Sequence, residues 1–520
     1  MSKYAKNYLP IMFNIYTTEL RSEKDPIRQS LIDTIKFFLY ITDSELINTY
    51  LIHAVKNYES NCKLHDEALK KSSQTDNSTN KVKFDFDKMP SDDKKKSETS
   101  NNTTLDHFLF AKYSFLDLIS ILAKYSNEKN VTVVYDLVIS GIESKELDKT
   151  IQKKSYKILD SILTSGKQKQ DKPHYKQNLA INQFIKSKFE MVSNKFVKSL
   201  SECNVAAKVP RLKCLLDLMD YINDPAQKIF LRQILPEVIL CIREINHKSR
   251  EASFLLLNSM LRCWQNLGLL SNIAENESLN EFMHLVMVGL AGSNNMVSCT
   301  CLALASLSYE FKENISGSLI NDLIETACLL TRSDQKEIVI SSLNLLKILI
   351  TIFNQVMLAP YLDKICESIH ALHEKRQSSN SNQVVNTEQS FNNLPPVSKS
   401  SQIRQFVKII LKKLIKKFSY EILFEKIFKN ELVNSHKTQS TVDAMDSGVS
   451  VEENKKLLTG VIKQGLENLL VNIKKNIEKE KKRKEEQEKS EKNKSSNQQV
   501  DLISMYTSKT QQTIKTNYNE

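Results

Sequence analysis

The feature that most constrains this chain is the return of apolar residues at helical spacing from Pro210 to Trp264. They recur three times in succession, as Leu212, Leu215, Leu216, Met219 and Ile222, then Ile234, Val238, Ile239 and Ile242, then Phe254, Leu255 and Met260. Steps of three and four residues put each set on one side of a helix, so the stretch predicts three short amphipathic helices. Pro236 falls within the second, and Ser249, Arg250, Glu251 and Ala252 open the third, with a small side chain where a neighbouring helix must come close.

Small residues recur at the same place in other helical patterns, at Ser155, Cys214, Ala252, Cys299 and Ser342, the later ones roughly 40 to 47 residues apart. That period predicts HEAT or armadillo units, in which the apolar stripe of each helix pair covers that of the next and the outer faces stay polar. Only 9 glycines and 10 prolines in 520 residues leave little punctuation for strands. The expected class is all-α, a HEAT/armadillo-like α-solenoid with disordered insertions and a charged C-terminal tail. Helical repeats are expected over 1–59, a disordered insertion over 60–103, and the central repeat array over 104–375. A polar loop follows over 376–400, where Pro395 and Pro396 forbid helix, and then a final basic helix pair over 401–434. The insertion is rich in Ser, Asn, Lys and Asp and has too few apolar groups to offset its ordering entropy. Residues 435–520 read as a linker, a charged helix marked by Leu458, Val461, Ile462, Leu469, Ile473 and Ile477, and a disordered tail.

Little in the sequence points to catalysis. Neither GxGxxG nor GxxxxGK occurs, and no spacing ties a nucleophile to a base, so no enzyme, cofactor or small-molecule substrate is expected. Cys366, His370 and His373 line one side of a helix, but a fourth ligand is lacking and no metal is expected. Cys299 and Cys301 point to different helix faces. The nine cysteines form no CxxC pair and read as small buried hydrophobes of a reducing compartment. No apolar run approaches the roughly 20 residues of a membrane span, and no signal peptide opens the chain, so a soluble intracellular protein without membrane insertion is expected.

Charge is the stronger signal. A net charge of +12 and a pI near 9.0 favour an acidic partner. Over 403–418, Ile403, Val407, Ile410, Leu411, Leu414 and Phe418 share one face, while Arg404, Lys408, Lys412 and Lys416 form a stripe opposite, with Lys413 and Lys417 beside it. Such a stripe suits a phosphate backbone, and a solvated helix face is the alternative. Lys208, Arg211 and Lys213 form a smaller cluster at a helix start, where a capping or solubilising role competes with RNA contact. Lys481, Lys482, Arg483 and Lys484 are candidates for a nuclear localisation signal, or for solvated helix beside their glutamates.

Five stretches carry a resemblance beyond the repeat pattern: KYAKNYLPIMFNIYT, PRLKCLLDLM, LPEVILCIREINHKSREASFLLL, NMVSCTCLALASLSYEFK and RQFVKIILKKLIKKFSYEIL. In the same order, over most of residues 3–430, they resemble the C-terminal half of the ribosomal RNA-processing protein 12 family, karyopherin-like HEAT-repeat factors of ribosome assembly. The resemblance implies a protein of the nucleus and nucleolus. It would bind pre-ribosomal RNA and pre-ribosomal particles, support pre-rRNA processing and nuclear export of ribosomal subunits, and contact Ran GTPase and nucleoporins. Family members extend further in the N-terminal direction. A karyopherin-type transport receptor and a protein-only HEAT scaffold are the other readings.

Overall fold

The computed structural model describes residues 2–19, 26–79, 92–143, 148–167, 178–199, 203–381, 401–427 and 467–487, and among them every regular element is a helix. The chain divides into two compact units, Met1–Gly289 and Leu290–Glu520.

The first unit contains α1 (Ser2–Asn14), α2 (Pro26–Tyr40), α3 (Ser44–Thr79), α4 (Asp92–Leu122), α5 (Glu128–Glu143), α6 (Lys149–Gly166), α7 (Leu179–Ser187), α8 (Phe189–Lys198), α9 (Lys208–Leu218), α10 (Lys228–Cys241), α11 (His247–Leu270) and α12 (Glu275–Met287). Helices α4, α6, α9 and α11 pack side by side as one layer, while α5, α7, α8 and α10 form a second layer behind them. Alternation between two layers is what paired helices produce when each pair stacks on the last. The second unit repeats the arrangement. Helices α13 (Asn294–Glu310), α15 (Lys336–Ile352) and α18 (Ser401–Phe418) form one layer, and α14 (Gly317–Leu330) packs on α17 (Leu362–Ser381) behind it, with the short α16 (Gln355–Leu358) between. A helix over 420–427, α19, follows α18, and another over 467–487, α20, closes the described residues.

Local chemistry sets the helix starts. Asp148, Asn178, Asn246, Ser293, Ser316 and Asn354 each accept a backbone N–H from the first turn that follows, satisfying a donor the helix itself cannot. Asn246 thereby begins α11 three residues before the Ser249 start read from sequence.

All five small residues lie in the first layer of their unit and are buried: Ser155 in α6, Cys214 in α9, Ala252 in α11, Cys299 in α13 and Ser342 in α15. Serine pairs mark the repeat length. Ser120 and Ser161 join α4 to α6 at 3.0 Å over 41 residues, and Ser298 and Ser341 join α13 to α15 at 2.6 Å over 43 residues. Both separations fall within the expected period. Glycine permits closer approach still, since a Cβ on Gly268 would lie 1.9 Å from Ser278 Oγ across the α11–α12 turn.

One face differs from the sequence reading. Leu255 is 55% exposed, and α11 buries Ala252, Ser253, Leu256 and Leu257 instead, one position round from the expected face. Within the stretch expected as a disordered insertion, α3 runs to Thr79 and α4 begins at Asp92. Helix α17 runs to Ser381, inside the stretch expected as a polar loop from 376. Residues 80–91, 382–400 and 428–466, including Leu458, Val461 and Ile462, lie outside the described residues.

Buried arginine anchors the start of the first unit. Arg28 is 4% exposed and its guanidinium lies 3.9 Å from the Tyr16 ring centroid and 4.8 Å from that of Phe110, while donating to Ser114 Oγ at 3.0 Å. Asp117 completes the node, accepting from Tyr16 at 3.1 Å and from Lys154 at 2.7 Å. Burial, with Asp117 beside it, pushes the Tyr16 phenol upward. Seven of the nine cysteines are buried with free thiols, and burial raises Cys214 and Cys328, and pushes Cys241, Cys263, Cys301 and Cys366 up to about 12.

Candidate nucleic-acid interface

Helix α18 has the two faces read from its sequence. Ile403, Val407, Ile410, Leu411, Leu414, Ile415 and Phe418 are buried, so the apolar side seats the helix on α15 and fixes which lysines point away. Arg404, Lys408 and Lys416 are exposed, and Lys412, Lys413 and Lys417 are half-buried.

The six cations are not equivalent. Glu480 of α20 accepts from Lys412 at 2.5 Å and lies 3.8 Å from Lys416. The Lys412 ammonium holds its carboxyl below the usual carboxylate range. On the other flank, Lys417 donates to the backbone carbonyl of Phe353, the residue that ends α15. From α15, Lys347 reaches back, its ammonium 5.2 Å from the centroid of the Phe406 ring. Desolvation and the nearby charge of Lys413 lower both Lys347 and Lys417 from the ordinary lysine value. Lys347 did not figure in the sequence reading. It stands between Leu346 and Ile348 on a largely apolar helix, and its packing against α18 connects it with this surface.

Helix α20 is held against the same unit. Leu470, Ile473 and Ile477 are buried, and Lys474 pairs with Glu421 at 3.2 Å and lies 4.5 Å from the Tyr420 ring centroid. Lys481, Lys482, Arg483 and Lys484 are exposed along its far end.

The second basic cluster is not a single exposed patch. Arg211 is fully buried and spends its donors inside the protein, on Tyr156 Oη at 2.8 Å, Ser199 Oγ at 2.9 Å, the Phe196 carbonyl at 2.7 Å and the Glu237 carboxylate. Lys208 pairs with Glu244. Lys213 alone of the three is exposed. The arginine is drawn inward because a planar guanidinium can satisfy an aromatic hydroxyl, a carbonyl and a carboxylate together.

Among the described residues, no three His, Cys, Asp or Glu side chains gather as a metal site, and no helix is long and apolar enough to cross a membrane. Cys366 and Cys299 are buried against their neighbours, and the His373 side chain lies outside the described residues.

Layered helix pairs with a repeat of about 40 residues define an all-α protein of the HEAT/armadillo-like class. Sequence comparison places the chain more closely. It is 30% identical over 375 residues to the human RRP12-like protein, covering 72% of this chain and 24% of that one. It is 27% identical over the same length to the Gallus gallus RRP12-like protein, and 24% identical over 380 residues to ribosomal RNA-processing protein 12 of Saccharomyces cerevisiae. The chain is thus a homologue of the ribosomal RNA-processing protein 12 proteins, and it spans about a quarter of the length of these curated relatives. No family model matches. Solved structures similar to it include the karyopherin Kap121p bound to the SUMO protease Ulp1p, at 11% identity and TM-score 0.34, over 85% of this chain and 41% of that one. Importin beta follows at 11% identity and TM-score 0.32, over 85% of this chain and 57% of that one. Likenesses at this level carry no functional argument.

Proposed function

We propose that the chain is a non-enzymatic ribosome-biogenesis factor of the nucleus and nucleolus. It binds pre-ribosomal RNA within pre-ribosomal particles and supports pre-rRNA processing and nuclear export of the subunits. The observation that carries this reading is the homology over 72% of the chain to proteins named for ribosomal RNA processing. The physical support is the basic face of α18, which offers charge to phosphates without the aromatic platforms that single-stranded base reading uses. RNA is therefore positioned by its backbone and not read by sequence. Contacts with Ran and nucleoporins belong to the same proposal through the family resemblance. The exposed Lys481, Lys482, Arg483 and Lys484 serve as its nuclear localisation signal.

The test is co-sedimentation of the tagged chain with pre-ribosomal particles on a sucrose gradient, followed by ultraviolet crosslinking and sequencing of the bound RNA. Association with particles and crosslinks to pre-rRNA are expected. A chain that sediments alone and gives no RNA crosslink overturns the reading in favour of a protein-only scaffold. Co-purification with Ran and a cargo, without particles, favours a transport receptor.

A further inference from the structure

Three cations of the second unit, Lys347, Lys413 and Lys417, lie at the seam between α15 and α18, beside the outward stripe of α18. Along the stripe, Lys412 and Lys416 already face Glu480, and beside it Lys426 of α19 pairs with Asp363 at 2.9 Å. On the other outer surface of the unit, Lys364 pairs with Glu325. Lys347, Lys413 and Lys417 differ. Among the described residues none of the three has a carboxylate partner, although they are close enough for Lys413 to disfavour the charge on the other two.

The seam holds them in place. Phe406, Lys413 and Lys417 are separated by seven and four residues, two turns and one turn, and so follow one line along α18. Lys347 crosses from α15 to lie over Phe406, and Lys417 crosses from α18 to the carbonyl of Phe353. Each long side chain is thus partly desolvated and held by a neighbour, while Lys413 stands between them, half-buried, with its ammonium uncommitted. Three like charges confined in this way repel one another, and each has already lost part of its hydration. An anion with several oxygens removes the repulsion and meets little ordering cost.

We propose that Lys347, Lys413 and Lys417 form a binding site for the phosphodiester backbone of RNA at the α15–α18 seam. This rests on the RNA-binding reading above and deepens it by naming the residues that hold the phosphates. A linear run of cations favours a linear polyanion, and phosphates repeating along a strand fit the line better than the clustered carboxylates of a folded acidic protein.

The experiment measures binding of the full chain to a single-stranded polyuridine oligonucleotide by fluorescence anisotropy across a salt series. Three variants are compared with the parent: Lys347→Gln with Lys413→Gln, which leaves the Lys417 hydrogen bond intact; the triple Lys347→Gln, Lys413→Gln, Lys417→Gln; and the stripe triple Lys408→Gln, Lys412→Gln, Lys416→Gln. Loss of three phosphate contacts should flatten the slope of log affinity against log salt by about two, and the double variant by somewhat more than one. Affinity at low salt should fall about tenfold or more in the seam variants and less in the stripe variant. Seam variants that keep the parent's affinity and slope while the stripe variant loses binding overturn the seam site and leave RNA binding standing. A parent chain with no measurable affinity for RNA overturns the RNA reading itself. Polyglutamate that binds the parent, loses binding in the seam variants and leaves RNA binding unmoved assigns the seam to an acidic protein partner and overturns the proposal. Circular dichroism that matches the parent in the double variant excludes misfolding as the cause of a loss.

Discussion

Arg211 and Glu237 meet in parallel, Nε to Oε1 at 2.6 Å and Nη2 to Oε2 at 3.0 Å, and so fasten α9 to α10 from inside the first unit. Arg211→Met removes the cation and leaves a carboxylate only 11% exposed without its partner. Destabilisation of about 3–5 kcal/mol is expected, read as a lower urea midpoint. Arg211→Lys should recover little of it, because an ammonium cannot supply two parallel donors. Midpoints equal to the parent's would mean that the pair is solvated in solution.

A second expectation concerns pH. Asp160 of α6 is raised to about 7, first by burial and then by the charge and hydrogen bond of Asp217, which Lys167 and Thr164 hold beside it. The folded protein therefore keeps a proton that the unfolded chain releases near 3.8, so stability from this pair falls as pH rises from about 4 to about 7 and levels off above. Asp160→Asn should abolish that fall and stabilise the protein at pH 8, by on the order of a few kcal/mol. Thermal melts of the parent and variant between pH 4 and 8 check it, and parallel pH profiles would count against it.

Close approach at Gly268 gives a third. A methyl group there would meet Ser278 Oγ at 1.9 Å and Ser278 Cβ at 3.0 Å, so Gly268→Ala should cost about 1–3 kcal/mol despite its gain in helix propensity. Adding Ser278→Gly should restore most of the loss. If the single variant is as stable as the parent, the α11–α12 turn has room to yield.

Glu480 supplies the fourth. Glu480→Gln frees Lys412 and Lys416, and RNA affinity at low salt should rise roughly twofold to fivefold, as the release of an exposed ion pair allows, with a steeper salt slope. Anisotropy titrations of the two proteins decide it. Equal affinities would mean that α20 does not compete for the stripe.

Much of this architecture was legible in the chain because helical burial is periodic. Every apolar residue assigned to the inner face of α18 is buried, and so is each of the five small residues. The candidate site was less legible, since its character depends on partners far away in sequence. Lys208, Arg211 and Lys213 look like a basic patch by spacing, yet Arg211 is claimed by Tyr156 and Glu237, 55 and 26 residues away. Lys412 reads as free until a glutamate 68 residues on is folded against it. Leu255 was misplaced by a single position because both neighbouring faces of α11 carry leucine.

The buried thiols make the protein its own reporter of local opening. Cys214, Cys241, Cys263, Cys299, Cys301, Cys328 and Cys366 are spread over α9, α10, α11, α13, α14 and α17, and each is shielded in the closed fold. A thiol-alkylating pulse followed by peptide mapping would therefore time the breathing of each of these helices separately, with no label introduced.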